Sequence, residues 1–135
     1  MHLNIRGIGM ISRFDYEQKL KIKEYNEKGQ IVYKEYFTGA WSRYTYNDKG
    51  LEIRVDCNDG TWFISEYNDQ GQKTYTEDSN GSWTKTQYDG QGRCIEMENN
   101  SIPIHERYDY SDNKITTYRL DVAQDIWVVA GCMSL

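Results

Sequence analysis

Histidine and cysteine are scarce in this chain of 135 residues, and their scarcity narrows the chemistry available to it. His2 and His105 are the only histidines, and the sequence places neither beside a nucleophile, which needs an oriented base. Cys57, Cys94 and Cys132 are odd in number and widely spaced, which disfavours a disulfide framework or a zinc site. The turns carry too few clustered oxygens for calcium. We therefore expect no enzyme, no cofactor, no metal, and a reducing environment.

Long apolar runs and an excess of basic residues are also missing. The longest apolar run, "IWVVA" at 126–130, is far short of the roughly 18 residues of a membrane span, and residues 1–10 lack the apolar stretch of a signal peptide. Lys and Arg number 16 against 21 Asp and Glu, for a net charge of -5. We therefore expect a cytoplasmic protein that binds neither a membrane nor nucleic acid directly, whereas a basic protein partner suits this charge.

Aromatic residues, in contrast, make up 14% of the chain. A disordered chain with this mean hydropathy, -0.87, would be poor in aromatics, so the sequence indicates a folded protein. Its length predicts one domain, 1–135, whose core is built from Tyr, Trp and Phe rather than Leu.

A repeat of 21 residues begins at Leu20. Its columns hold a tyrosine, two glycines and a tryptophan: Tyr25, Tyr46, Tyr67 and Tyr88; Gly29, Gly50, Gly71 and Gly92; Gly39, Gly60 and Gly81; Trp41, Trp62 and Trp83. Agreement in four columns is not chance, so the chain is built from repeated units. A fifth block, from Ile104, has lost its glycines and is degenerate.

Each block carries two turn signals, so each predicts two short antiparallel strands. Asn47 with Gly50 suits a type I turn followed by a left-handed glycine, a three-residue loop that pairs Asn47 with Leu51. Asp59-Gly60 suits a two-residue hairpin loop. The predicted fold is all-β: an antiparallel meander of about ten strands with little or no helix.

These loops set which side chains share a face of the sheet. The predicted register places Trp41, Trp62, Val55 and Cys57 on one face. The other face carries tyrosines and phenylalanine: Tyr44, Tyr46, Phe63, Tyr67, Tyr75 and Tyr88. Because both faces carry large side chains, we expect a sheet that is curved or partly closed, or that packs against itself or a partner chain.

The two ends of the chain lack the repeat and are expected to cap it. Residues 1–19 predict a hairpin that turns at Glu17-Gln18-Lys19, and 20–110 hold the repeats. Residues 111–135 hold a degenerate repeat and an apolar tail that favours a strand, with a short helix as the open alternative. A homo-oligomer contact through a sheet edge or this tail is a further expectation.

The repeat resembles the YD repeats, or Rhs repeats, of bacterial Rhs proteins and teneurins. The resemblance lies in Tyr44-Thr45-Tyr46-Asn47 with Gly50, in Asn58-Asp59-Gly60, and in Tyr88-Asp89 with Gly92-Arg93, and it covers about Leu20 to Tyr110. It implies a β-sheet of the kind that spirals into a hollow shell in large family members. The family's Asp-Pro-x-Gly-Leu motif is absent, so the resemblance implies neither autocleavage nor toxin release.

One column of carboxylates is the candidate partner-binding site. Its members, Glu35, Asp56, Glu77 and Glu98, are 21 residues apart, and the predicted register places them on the tyrosine face with Tyr33, Tyr75 and Glu96 beside them. Alternate strands lie about 10 Å apart, so the column would form an acidic ladder. It is either a solvated row that keeps the sheet soluble or a docking surface for a basic or nucleic-acid-binding protein.

These features favour a non-enzymatic protein that acts by protein–protein interaction. The specific hypothesis is a phage- or prophage-type inhibitor of a bacterial defence or toxin protein, acting through the acidic, aromatic face in a bacterial or phage-infected cell. Two alternatives stay open: a structural fragment or self-assembling subunit related to Rhs shells, and a carbohydrate or small-molecule module that uses Trp41, Trp62 and Trp83.

Overall fold

The structure, a computed structural model, describes residues 2–5, 9–12, 19–101 and 104–134. These residues form strands and turns and contain no helix. Two strands, β1 (His2–Ile5) and β2 (Gly9–Ser12), pair only with each other. Eleven others form one antiparallel sheet: β3 (Leu20–Tyr25), β4 (Ile31–Tyr36), β5 (Trp41–Tyr46), β6 (Glu52–Cys57), β7 (Trp62–Tyr67), β8 (Lys73–Asp78), β9 (Trp83–Tyr88), β10 (Cys94–Asn99), β11 (Ile104–Ser111), β12 (Lys114–Asp121) and β13 (Ile126–Ser134).

The sheet is a meander, as predicted, because each strand from β4 to β12 is hydrogen bonded to the strands that precede and follow it in the chain. The order runs from β3 to β13, and these two strands do not pair with each other, so the sheet is not closed. The C-terminal tail, for which strand and helix were both open, forms β13. The predicted turn at Glu17-Gln18 lies outside the described residues.

The chain divides into two compact units, unit 1 (Met1–Phe63) and unit 2 (Ile64–Leu135). Unit 1 holds β1 to β6 and the first residues of β7, and unit 2 holds the remainder. The single domain expected from the chain length stays a prediction.

The first turn of each repeat has the predicted three-residue loop. In unit 1, the Asn47 amide donates to the Leu51 carbonyl over 2.8 Å, and the Gly50 amide donates to the Asn47 carbonyl over 2.9 Å. Gly50 has a φ of 80°, in the left-handed region that favours glycine. The Asn47 Oδ1 accepts the amides of Lys49 and Leu51, so the asparagine side chain closes the turn.

The second turn differs from the prediction. The Cys57 amide donates to the Thr61 carbonyl over 2.9 Å, and the Gly60 amide donates to the Cys57 carbonyl over 3.1 Å. This loop therefore has three residues, 58–60, and the two-residue loop expected at Asp59-Gly60 is wrong. The left-handed Gly60, with a φ of 86°, closes a loop with the hydrogen-bond pattern of the first turn.

One added loop residue exchanges the faces of the following strand. In unit 1, Ser42 lies opposite Cys57 and Tyr44 lies opposite Val55, so Tyr44 shares its face with Val55 and not with the carboxylates. Trp41 lies opposite Glu35 on the other face. The predicted separation of tryptophans from carboxylates is therefore wrong. We call this second face of unit 1 the tryptophan face; it carries Tyr33, Glu35, Trp41, Arg43, Arg54, Asp56 and Trp62.

Unit 2 has an equivalent face. Glu77 lies opposite Trp83, Tyr75 and Glu98 both lie opposite Lys85, and Glu96 lies opposite Arg107. The tryptophan face of unit 2 thus carries Tyr75, Glu77, Trp83, Lys85, Glu96, Glu98, His105 and Arg107.

The described residues contain no buried hydrophobic side chain. Most strand residues are half-exposed, and several large apolar side chains are open to solvent, among them Phe63 and Val129. The aromatic core expected from the sequence is therefore absent from the described part of the chain. Stability has to come from contacts within the plane of the sheet.

Tyrosine hydroxyl groups supply one such contact. Tyr46 donates from its hydroxyl to the Ile31 carbonyl over 2.6 Å in unit 1, and Tyr88 donates to the Lys73 carbonyl over 2.8 Å in unit 2. Tyr110 repeats the bond with the Cys94 carbonyl over 2.7 Å. Each bond joins a tyrosine near the end of one strand to the first residue of the preceding strand, which gives the column members Tyr46 and Tyr88 a structural role.

Amide side chains join successive turns in the same way. The Gln30 Nε2 donates to the Gly50 carbonyl over 2.7 Å, which ties the first turn of one repeat to that of the next. Gln72 makes the same 2.7 Å bond to the Gly92 carbonyl in unit 2. The repeat length of 21 residues is what places each glutamine beside the following turn.

The turn at 89–93 allows a matched pair of glycine substitutions. Gly92 has a φ of 81°, and an added Cβ would lie 3.3 Å from the Gln72 Nε2, so Gly92→Ala should lower the free energy of unfolding by about 1–2 kcal/mol. Gly90 lies outside the left-handed region with open space around it, so Gly90→Ala should be neutral or stabilising by up to about 1 kcal/mol. Urea unfolding of both variants measures this; equal losses would contradict the turn geometry.

The tyrosine hydrogen bonds predict a second contrast. Tyr88→Phe removes the bond to the Lys73 carbonyl and should cost about 1 kcal/mol of unfolding free energy. The control is Tyr25→Phe, because Tyr25 is 55% exposed and its hydroxyl has no partner among the described residues. Thermal and urea unfolding should leave the Tyr25 variant unchanged. A loss of the same size in both variants would show that these bonds contribute nothing.

Candidate binding face

All seven candidate residues lie on the tryptophan faces, three in unit 1 and four in unit 2. Glu35 lies opposite Trp41, and Tyr33 and Asp56 both lie opposite Arg43. The unit 2 members are Tyr75, Glu77, Glu96 and Glu98. The carboxylates therefore stand among tryptophans and basic side chains, and not on a face of tyrosines alone.

Asp56 is paired with a basic neighbour on its own strand. Arg54 donates from Nε and Nη2 to the Asp56 carboxylate at 2.8–3.1 Å, a bidentate contact. Hydrogen bonding by Arg54 lowers the pKa of Asp56 and raises that of Arg54. Glu35 lies 3.8 Å from the Lys21 Nζ. The acidic column of unit 1 is thus largely neutralised.

Glu96 has the most contacts of the candidate carboxylates in unit 2. Its Oε1 lies 2.6 Å from the His105 Nε2 and 3.2 Å from the Arg107 Nε, and both of these side chains come from β11. Partial burial raises the pKa of Glu96, but the hydrogen bonds from His105 and Arg107 outweigh it, so the net pKa falls below the ordinary value of 4.5. Glu96 joins β10 to β11 and is not free for a partner.

The two candidate tyrosines act with neighbouring carboxylates. Tyr75 donates from its hydroxyl to the Glu77 Oε2 over 3.1 Å. Burial first, and then this bond, raises the pKa of Tyr75, so the phenol stays protonated. The pKa of Tyr33 is raised in the same way, by burial and by the Glu35 charge. Both phenols are therefore neutral hydrogen-bonding groups at physiological pH.

Basic side chains stacked on aromatic rings are the feature that the sequence reasoning missed. In unit 1, the Arg43 guanidinium lies 5.5 Å from the Trp41 ring centroid and 5.6 Å from that of Tyr33, and Arg54 lies 5.3 Å from Trp62. These are cation–π distances. The available signal was the spacing Trp41-x-Arg43, which returns 42 residues later as Trp83-x-Lys85.

Unit 2 repeats this stacking. The Lys85 Nζ lies 4.9 Å from the Trp83 ring centroid, and the Arg107 guanidinium lies 4.1 Å from that of Trp127. The His105 ring meets Trp127 edge-on, with centroids 4.8 Å apart. The cluster thus adds Trp127, from the apolar tail, to the face.

An open cavity of about 560 Å³ lies beside this cluster in unit 2. Arg107, Tyr118 and Trp127 line it together with Arg93 and Asp109. Aromatic rings and both signs of charge therefore converge on one concave surface, which is a composition suited to binding.

Other kinds of site are not seen in the described residues. They include no group of three or more His, Cys, Asp or Glu side chains that could hold a metal ion. The cysteines at 57, 94 and 132 are free thiols. Among the same residues, no helix is long and apolar enough to cross a membrane.

Comparison with known proteins gives no assignment. No protein-family model matches the chain, and no curated protein matches it significantly. Functional inference therefore rests on the geometry of the two tryptophan faces.

The Glu96 contacts predict acid sensitivity. A carboxyl whose folded-state pKa is lowered stabilises the fold above its unfolded pKa, and this contribution is lost as the pH falls through the folded pKa. The free energy of unfolding should therefore fall as the pH drops below about 4.5. Glu96→Gln should be less stable than the wild type at pH 7, and this difference should shrink at pH 3.

Urea unfolding at several pH values measures this difference. Glu98→Gln is the control, because Glu98 lies on the same strand and face but forms no ion pair with another described residue. A Glu96→Gln penalty that is the same at pH 3 and pH 7 would contradict the assigned role.

Proposed function

We propose that the chain is a non-enzymatic β-repeat protein that binds a protein partner through its tryptophan faces. One observation carries this proposal: tryptophans with stacked arginine or lysine recur on a sheet face that no other described layer covers. Tryptophan, tyrosine and arginine are the residues most enriched among interface hot spots. Rings held by cations are also pre-organised, which reduces the entropy lost on binding.

The same stacking favours a protein over a carbohydrate as the partner. A sugar ring needs a free aromatic face, and a guanidinium or ammonium group lies over Trp41, Trp62 and Trp83. Exposed guanidinium groups backed by a ring still have donors for the carboxylates and carbonyls of a partner protein.

The ion pairs on the tryptophan faces change the expected electrostatic attraction of a partner. Because Asp56 and Glu96 are bonded to basic side chains, the face has mixed charges and is not a uniformly acidic ladder. The net charge of -5 would still steer a basic partner from a distance, with a salt-dependent association rate. Short-range affinity would come from the aromatic rings and would depend little on salt.

The proposal has two more specific parts. The first is that the chain is a member of the YD-repeat family. The second is that it acts in the cytoplasm as a prophage-type inhibitor of a defence or toxin protein. The 21-residue repeat supports the first, since the hydrogen bonds of Tyr46, Tyr88 and Gln72 explain why these residues recur at fixed positions in it. For the second, the support is the acidic charge of the chain and the absence of catalytic chemistry from its sequence.

A paired-variant capture experiment tests the binding proposal. Arg43→Ala/Arg54→Ala removes the two cations that are stacked on tryptophans in unit 1. Lys23→Ala/Lys114→Ala removes the same charge from exposed residues that have no stacked ring among the described residues. Proteins captured from a bacterial lysate by immobilised wild type are identified by mass spectrometry, and the affinity of the purified partner for each form is then measured.

The stacked-cation variant should weaken partner binding at least about tenfold, while the control should change it less than about twofold. Circular dichroism confirms that both variants are folded. Equal affinity of both variants for every partner would contradict the proposal, and a partner among defence or toxin proteins would support the inhibitor form.

A further inference from the structure

The last strand of the sheet, β13, is an edge strand of unusual composition. No described strand pairs with its outer side, so a row of backbone amide and carbonyl groups is open there. Its sequence, "IWVVAGCMS", contains no charged residue and no proline. At nine residues it is the longest strand of the sheet, about 30 Å at roughly 3.4 Å per residue.

The apolar side chains of β13 are exposed. Val129 is 64% exposed and Met133 60%, and Ile126 and Val128 are more than a third exposed. Proteins normally protect such an edge with charges, with proline or with a short strand. None of these three devices is present on β13, and its one β-bulge, at Ala130, leaves 126–129 and 131–134 in regular pairing with β12.

The strand at the other end of the order does carry this protection. β3, "LKIKEY", is six residues long and holds Lys21, Lys23 and Glu24. Of the eleven strands in the sheet, β13 alone has no charged residue. Charged residues are thus present on one edge strand, β3, and absent from the other, β13.

We propose that two copies of this chain pair through β13, antiparallel and about a two-fold axis. The exposed edge then becomes the centre of a continuous sheet. The pairing continues the pattern already present, because every strand of the sheet is antiparallel to its neighbours. The occupant is a second β13 and not a β3 strand.

The charges on the two edge strands favour a second β13 over a β3 strand as the pairing partner. Pairing β13 with β3 would place Lys21, Lys23 and Glu24 against apolar side chains, which partly desolvates their charges. Two β13 strands present only uncharged side chains to each other. A symmetric β13 pair also closes after two copies, whereas β13 with β3 is a head-to-tail contact that would continue into a ring or a fibre of more than two copies.

The size of the contact sets the expected strength. One pair of nine-residue strands is a small interface, below the area typical of stable complexes, so the dimer should dissociate in the micromolar range or more weakly. The proposal concerns the purified chain alone and does not depend on any partner bound by the tryptophan faces.

Sedimentation of the full-length chain from about 1 μM to 1 mM tests the pairing across the expected range of affinity. A reductant is included because Cys132 is exposed on β13. The variant is Val129→Lys, which places a charge on the open strand. The control is Ile22→Lys, the matching change on β3, where Ile22 is 37% exposed.

The wild type and Ile22→Lys should show a concentration-dependent dimer, and Val129→Lys should raise the dimer dissociation constant at least about tenfold. A wild type that stays monomeric throughout, assemblies larger than two copies, or a Val129→Lys dimer as strong as the wild type would each overturn the proposal. Loss of dimer in Ile22→Lys alone would also overturn it, in favour of the β3 edge.

Amide hydrogen exchange gives a second reading that needs no variant. Amides of 126–134 should exchange more slowly at high protein concentration than at low concentration, and amides of 20–25 should not change. Unchanged exchange in β13 over the range in which a dimer forms would show that another surface makes the contact.

Discussion

Contacts within the plane of the sheet carry the stability of this protein, because no described hydrophobic side chain is buried. A strand without a packed layer above or below it depends on the strands beside it. The recurring contacts serve this purpose: the Tyr46 and Tyr88 hydroxyls reach back to the preceding strand, and Gln30 and Gln72 tie successive turns. Each repeat is stabilised mainly by its neighbours, which is the nearest-neighbour energetics of repeat proteins.

The same constraint explains why aromatic and charged residues alternate on the tryptophan faces. An aromatic side chain that is exposed on one side is stabilised by contact with long side chains on adjacent strands. An arginine or lysine over a tryptophan ring makes this contact while its charged group stays in water. The carboxylates on these faces also bond to the stacked cations, as Asp56 does to Arg54. A surface organised in this way is open to solvent, which is why we propose that it binds a partner.

A sheet built from repeated strands also has two edge strands, here β3 and β13, whose outer backbone groups have no partner strand among the described residues. Repetition can extend a sheet without limit unless its ends are blocked, and the charges of β3 block one end. The uncharged β13 leaves the other end able to pair. The two proposals thus use separate parts of the chain: side chains on its faces, and backbone groups along one edge.

Much of the fold could be predicted from the sequence, because its signals are local. The 21-residue spacing and the Asn47–Gly50 turn each act within a few residues, and they determined the all-β class, the antiparallel meander and nearly the number of strands. The faces could not be predicted, since one residue more in the loop at Asn58-Asp59-Gly60 turns every following side chain to the opposite side. The column of candidate carboxylates, with Arg54 two residues before Asp56 on the same strand, could be read from the sequence. The contact of Glu96 with Arg107 could not, because it joins two strands and depends on how they align. The sequence alone thus determined the repeat and its turns, and only the tertiary structure decided which side chains meet and that none of those described is buried, because both depend on how whole strands align.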